Sequence, residues 1–144
     1  MYRGEAVQPM SVAPRVMPSD TLPVHGDPPS RIAQMAALKN PLEASAQNLA
    51  HGQELYANNC APCHGDDGAG NGSVVHLLKD QPKNIVSGSA KNLPDGYIYA
   101  VIRNGIALMP SYADAMSSDE RWQVVLYLRS MQQSSKDQDK SAKQ

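Results

Sequence analysis

The chain has no phenylalanine, one tryptophan and only two cysteines, and neither sign of charge dominates it. Each shortage closes off a class of protein. With 13 Lys/Arg against 14 Asp/Glu there is no basic excess of the kind that holds nucleic acid by neutralising phosphates. Lys136, Lys140 and Lys143 alternate with Asp137 and Asp139, so the C-terminal tail is a solvated mixture of charges. No run approaches the ~18 apolar residues that a membrane-spanning helix needs, and residues 1–30 lack the apolar centre of a signal peptide. A length of 144 residues allows one domain, and its core would be short of large apolar side chains.

What is present is concentrated in five residues. Both cysteines fall in Cys60-Ala61-Pro62-Cys63-His64, and Cys-x-x-Cys-His is the attachment pattern of a c-type haem. The two thiols add across the haem vinyl groups, and the adjacent imidazole is held where it can ligate iron. A thioredoxin-like site would need a surrounding βαβ pattern, and a zinc site would need further ligands. Neither is present, because His25, His51 and His76 are scattered without ligand spacing. A covalently held porphyrin would also supply the bulk that the core lacks. Haem of this kind is attached outside the bacterial cytoplasm, so an export signal is expected to have preceded the chain, and with it a lipid or anchor could have been present.

The composition changes near residue 45. Pro9, Pro14, Pro18, Pro23, Pro28, Pro29 and Pro41 lie before that point, in a stretch with no sustained periodicity. Residues 1–45 are therefore expected to form an extended, Pro-rich arm without a core of its own, acting as a partner-binding or tether segment. Its one helix-like piece is Ser30 to Lys39, where Ile32, Met35, Ala36 and Leu38 could form a short apolar face. Residues 46–135 should form the folded domain, and residues 136–144 a frayed polar tail.

Three helices are expected in the domain. The first runs from about Ala46 to Asn58, with Leu49, Gly52 and Tyr56 on one side. A mid-helix glycine costs up to ~1 kcal/mol against alanine, so Gly52 implies a close helix contact. The second spans Asp95 to Asn104, buries Ile98, Val101 and Ile102, and stops at Gly105. The third starts at the capping box Ser117-Ser118-Asp119-Glu120, with Trp122, Val125, Leu126, Leu128 and Met131 following it.

From about Ala46 to Gln132 the chain resembles the class I cytochrome c family. Gly52 and Tyr56 stand eight and four residues before Cys60, where that family places a glycine and an aromatic. Val124 and Tyr127 resemble their partners on the C-terminal helix. Gly65-Asp66-Asp67-Gly68-Ala69-Gly70-Asn71-Gly72 is similar to the turn after the haem motif. Without a following Lys-Ser/Thr or a preceding strand, it is a poor phosphate loop. The resemblance implies an all-α fold, three main helices around one covalent haem c, with His64 and a methionine as axial ligands. Pro82 is then implied as the residue whose carbonyl receives the second imidazole proton of His64. Met109, 45 residues after His64 and within Gly105-Ile106-Ala107-Leu108-Met109-Pro110-Ser111-Tyr112, resembles the family's methionine loop. Methionine is also a common gap filler, so Met116 and then His76 stand as second and third candidates. Arg103 is expected to be solvated at its helix end rather than paired with a haem propionate, and Trp122 to pack near the haem edge.

With both axial positions filled there is no open site for a substrate, so the implied function is one-electron transfer and not catalysis by this chain alone. An enzyme or gas sensor would need Met109 off the iron. Between residues 46 and 135, six Lys/Arg face eight Asp/Glu, a net of −2, unlike a strongly basic mobile carrier. Leu38-Lys39-Asn40-Pro41-Leu42 leading into Gln53-Glu54-Leu55-Tyr56 resembles the monohaem cytochrome subunit of bacterial alternative complex III, a membrane quinol-oxidising assembly. That implies a periplasmic, membrane-associated subunit whose partners are respiratory complex subunits and a downstream cytochrome or oxidase. A freestanding or tethered periplasmic carrier is the alternative.

Overall fold

Ser45 begins the first long helix by turning its hydroxyl onto the N–H of Asn48 at 3.2 Å, a cap worth ~1 kcal/mol. The computed structural model describes residues 32–141, with side chains as far as Ser135. Regular structure among the described residues is helical: α1 (Ile32–Met35), α2 (Ala46–Asn59), α3 (Ala61–His64), α4 (Asp95–Asn104) and α5 (Ser118–Ser141). Short 3₁₀ turns at Val75–Leu77 and Gly88–Asn92 interrupt the long connection from α3 to α4.

The largest helix contact is α2 against α5, and Gly52 makes it possible. A Cβ on Gly52 would lie 2.2 Å from the carbonyl oxygen of Gln123 and 3.1 Å from Tyr127 Cβ, so the backbones meet where no side chain intervenes. Tyr56 and Tyr127 then face each other with ring centroids 5.5 Å apart, beside the buried Val124. At the start of α5 the Ser117 N–H donates to Glu120 Oε2 at 2.7 Å, and the Glu120 N–H donates to Ser117 Oγ at 3.3 Å. The expected capping box is thus formed in both directions.

Helix α4 covers the other side of α5. Tyr99 stacks on Trp122 at 4.2 Å, which makes up for the missing phenylalanines with a tyrosine–tryptophan pair. The Trp122 ring lies on Tyr99 and its carbonyl receives Asn40 Nδ2 at 3.0 Å. Lower on α5, Arg129 donates to Asp95 Oδ1 and Gln132 Oε1, both at 2.7 Å, and to the carbonyls of Lys91 and Leu93. One guanidinium therefore ties the approach to α4 onto α5.

Two boundaries differ from expectation. Helix α5 continues to Ser141, past the expected start of a frayed tail at Lys136, because no glycine or proline follows Gln132 to stop it. The folded unit also begins earlier than residue 46. Met35 is 8 % exposed and belongs to the core, with Ile32 and Leu42 packed against it, so residues 32–42 are part of the domain rather than of an arm without core contacts. The short apolar face of Ile32 and Met35 finds a partner in α4. The rest of the expected arm, residues 1–31, lies outside the described residues. No helix among those described is long and apolar enough to cross a membrane.

Candidate haem site

Helix α2 hands the chain directly to the cysteine motif, which is itself a single helical turn. The Cys60 N–H bonds back to Tyr56 O at 2.8 Å, and Cys60 O receives the N–H groups of Cys63 (3.1 Å) and His64 (2.8 Å). Both thiols are half-buried, and neither is bonded to the other. Burial, with the neighbouring Cys63 adding to it, pushes the Cys60 thiol up to about 12. Neither cysteine is tied up in a disulfide, so both are free for covalent attachment.

The loop after the motif holds the imidazole from the other side. Gly70 takes φ +84°, its N–H bonds to His64 O at 2.7 Å, and a Cβ there would meet Pro82 O at 2.2 Å. Gln81 Nε2 donates to Gly70 O at 3.1 Å, and the Ile85 N–H donates to Gly68 O at 2.9 Å. This register decides which carbonyl reaches the ring. His64 Nδ1 lies 3.3 Å from Lys83 O, so the carbonyl facing the imidazole is that of Lys83 and not of Pro82. Pro82 O is instead turned onto the backbone of Gly70, a register that loop length alone does not reveal. Burial lowers the His64 pKa, with the Lys83 hydrogen bond working the other way. With Nδ1 donating to that carbonyl, Nε2 is left with the lone pair a metal needs.

Met109 approaches through a tight reversal beyond α4. The chain turns at Gly105, passes Ala107 at φ +50°, and closes with paired bonds between Ile106 and Met109 at 3.1 and 2.9 Å. The Tyr112 N–H then bonds to Ile102 O at 3.1 Å, and Ser111 Oγ donates to Arg103 O at 2.6 Å, so the loop folds back over the end of α4. Arg103, expected to be solvated, is buried there at 4 % exposure. On its far side the loop is fastened to the cysteine motif: Tyr112 Oη donates to Asn59 O at 3.0 Å, one residue before Cys60. Tyr112 was not singled out from the sequence, although an aromatic three residues after Met109 was the available signal.

The other candidates are differently placed. Met116 is a core residue at 4 % exposure, and its carbonyl receives the Arg121 guanidinium. His76 is exposed on the 3₁₀ turn. Met109 is partly buried against the core, while Ile106 and Leu108, just before it in the chain, are exposed. Leu77 and Leu78, after the motif, are likewise exposed. Two free thiols one turn apart, an imidazole with its tautomer set, a thioether on a loop tied to the same turn, and exposed leucine and isoleucine side chains make a donor set and surface that fit a c-type haem. When bound, that haem supplies an iron that cycles between ferric and ferrous states.

An all-helical fold with this motif between its first long helix and a glycine-rich turn is that of a monohaem class I c-type cytochrome, which holds one haem c covalently. The chain belongs to the family described as cytochrome c oxidase, cbb3-type, subunit III, which matches residues 47–128. Cytochrome c6 of Parathermosynechococcus lividus is 31 % identical over 81 residues, which cover 56 % of this chain and 87 % of that protein. Two solved structures share the fold. One belongs to the reducing HAO-like protein complex of Kuenenia stuttgartiensis (TM-score 0.59, 24 % identity, 73 % of this chain and half of that one, 50 %). The other is cytochrome cL of Methylophaga aminisulfidivorans (TM-score 0.52, 17 % identity, 74 % of this chain and 70 % of that one). The chain is an electron-transfer protein.

Proposed function

We propose that Cys60 and Cys63 hold the haem through two thioether bonds, that His64 Nε2 and Met109 Sδ are its axial ligands, and that the protein passes single electrons as a resident subunit of a membrane quinol-oxidising complex on the periplasmic face. The observation that carries the ligand assignment is the Tyr112 Oη to Asn59 O bond, which ties the methionine loop to the attachment turn. The subunit role is supported by the net −2 of residues 46–135, which gives a basic-patch carrier's electrostatic steering nothing to act with. It is supported further by the resemblance of residues 38–42 and 53–56 to the alternative complex III cytochrome. Downstream, the electron goes to a cytochrome or terminal oxidase.

Visible spectroscopy of the oxidised protein tests the ligands. A thioether on ferric iron gives a weak far-red band, and Met109→Ala should abolish it while Met116→Ala leaves it in place. Met109→His should lower the reduction potential by a large fraction of the ~0.8 V that axial ligands span, because imidazole stabilises ferric iron better than a thioether. The reverse result for the two alanine variants would move the ligand to Met116. A high-spin wild-type spectrum would make the protein a haem enzyme or sensor with an open position.

A further inference from the structure

Residues 32–42 lie before the stretch that the family matches, and they are packed onto the helix that presents the methionine loop. We propose that this extension is a positioning element for the sixth ligand, acting through Met35 and Asn40 on α4 and α5; the proposal rests on Met109 being that ligand. Three contacts place it. The backbone of α1 lies directly on the first turn of α4, where a Cβ on Gly96 would be 2.1 Å from Met35 O and 2.7 Å from Leu38 O. At the opposite end of α4, Asn104 Nδ2 reaches Met35 Sδ at 4.0 Å, so Met35 meets the start of the helix through its backbone carbonyl and the end through its buried side chain. Asn40 spans to α5, with Nδ2 on Trp122 O at 3.0 Å and Oδ1 receiving the Leu42 N–H at 3.0 Å.

The consequence follows from what α4 holds. The methionine loop has no helix or strand of its own; besides the Tyr112 bond to Asn59, it is held by two α4 carbonyls, those of Ile102 and Arg103, the second next to Asn104. Any slip of α4 is therefore passed to Met109. Cys60, between α2 and α3, and Cys63 and His64, in α3, are carried by other elements than α4, so the extension acts on the sulfur side of the iron. A thioether is a soft ligand and a weak one for ferric iron, which makes it the bond that reports a small displacement.

Competition with added imidazole measures this in the full-length, haem-loaded ferric protein. Met35→Ala should take imidazole about tenfold more tightly than wild type and lose far-red band intensity, a coupling in the ordinary range between sites. Asn40→Ala should shift in the same direction by roughly threefold. Met35→Leu, which keeps the volume, should stay within about twofold of wild type. Tyr127→Leu, a control in the α2–α5 contact, should lower the melting temperature without tightening imidazole. The proposal is overturned if Met35→Ala and Asn40→Ala melt earlier yet bind imidazole like wild type, or if Tyr127→Leu tightens imidazole as much as Met35→Ala does. A wild-type protein without the far-red band would instead overturn the assignment of Met109, and this role with it.

Discussion

Tyr112 and Tyr56 brace the two sides of the site with their hydroxyls. Tyr112 Oη donates to Asn59 O at 3.0 Å, and Tyr56 Oη, in a 2 % exposed side chain, donates to Gly65 O at 2.8 Å, next to His64. Burial raises both phenol pKa values, so both remain donors throughout the neutral range. Tyr112→Phe keeps the ring and removes one hydrogen bond, worth ~1 kcal/mol, while leaving the Asn59 carbonyl short of its partner. The expected outcome is a weaker far-red band and a melting temperature a few degrees lower, with haem still attached after denaturing electrophoresis. Loss of haem in that variant would place Tyr112 in maturation instead. The cysteine motif could be read from the sequence because its five residues are adjacent and their chemistry is local. The partner of His64 could not, since Lys83 rather than Pro82 faces the ring only through the register set by Gln81 on Gly70 and Ile85 on Gly68.

Among the helices, those whose signals lie within one turn were legible, and their far ends were not. Ser117 and Glu120 satisfy each other three residues apart, so the start of α5 needed no tertiary knowledge. Its continuation from Lys136 through Ser141 is made by residues with no apolar pattern at all. The cap also has a pH signature. The hydrogen bonds from Ser117 hold the Glu120 carboxyl below its ordinary 4.5, so its contribution is present above that pH and is lost as pH falls through the lower folded-state value. Glu120→Ala should therefore lower the melting temperature at neutral pH, and the difference from wild type should shrink on acidification below pH 4.5. A difference independent of pH would assign the loss to helix propensity alone. Gly52 makes the converse case, where a better helix former is worse for the protein. Alanine would gain up to ~1 kcal/mol of propensity, but its Cβ would meet Gln123 O at 2.2 Å. Overpacking of that kind costs ~1–3 kcal/mol, so Gly52→Ala should destabilise in a denaturant titration despite its propensity.

For the molecule as a whole, the folded unit includes residues 32–42, on the N-terminal side of the boundary expected near residue 45. The short apolar face of Ile32 and Met35 is visible in the sequence but its partner is not: a four-residue helix is not stable by itself, and only the presence of α4 makes its burial favourable. Two truncations separate what the extension does from what precedes it. Residues 1–31 are Pro-rich and without sustained periodicity, so the haem domain should keep its melting temperature, its far-red band and its potential when they are removed. Removing residues 1–44 also takes away Met35 from the core and Asn40 from Trp122, and should cost about 2–5 kcal/mol, the range for deleting one large buried side chain. The same pair tests membership of a membrane complex. If the N-terminal segment is the assembly element, the 1–31 deletion should leave a spectroscopically normal cytochrome that no longer co-purifies with the quinol-oxidising subunits. Full stoichiometry in that preparation would assign docking to the haem domain itself. A normal melting temperature after the longer deletion would return the boundary to residue 45 and remove the physical basis for coupling the extension to Met109.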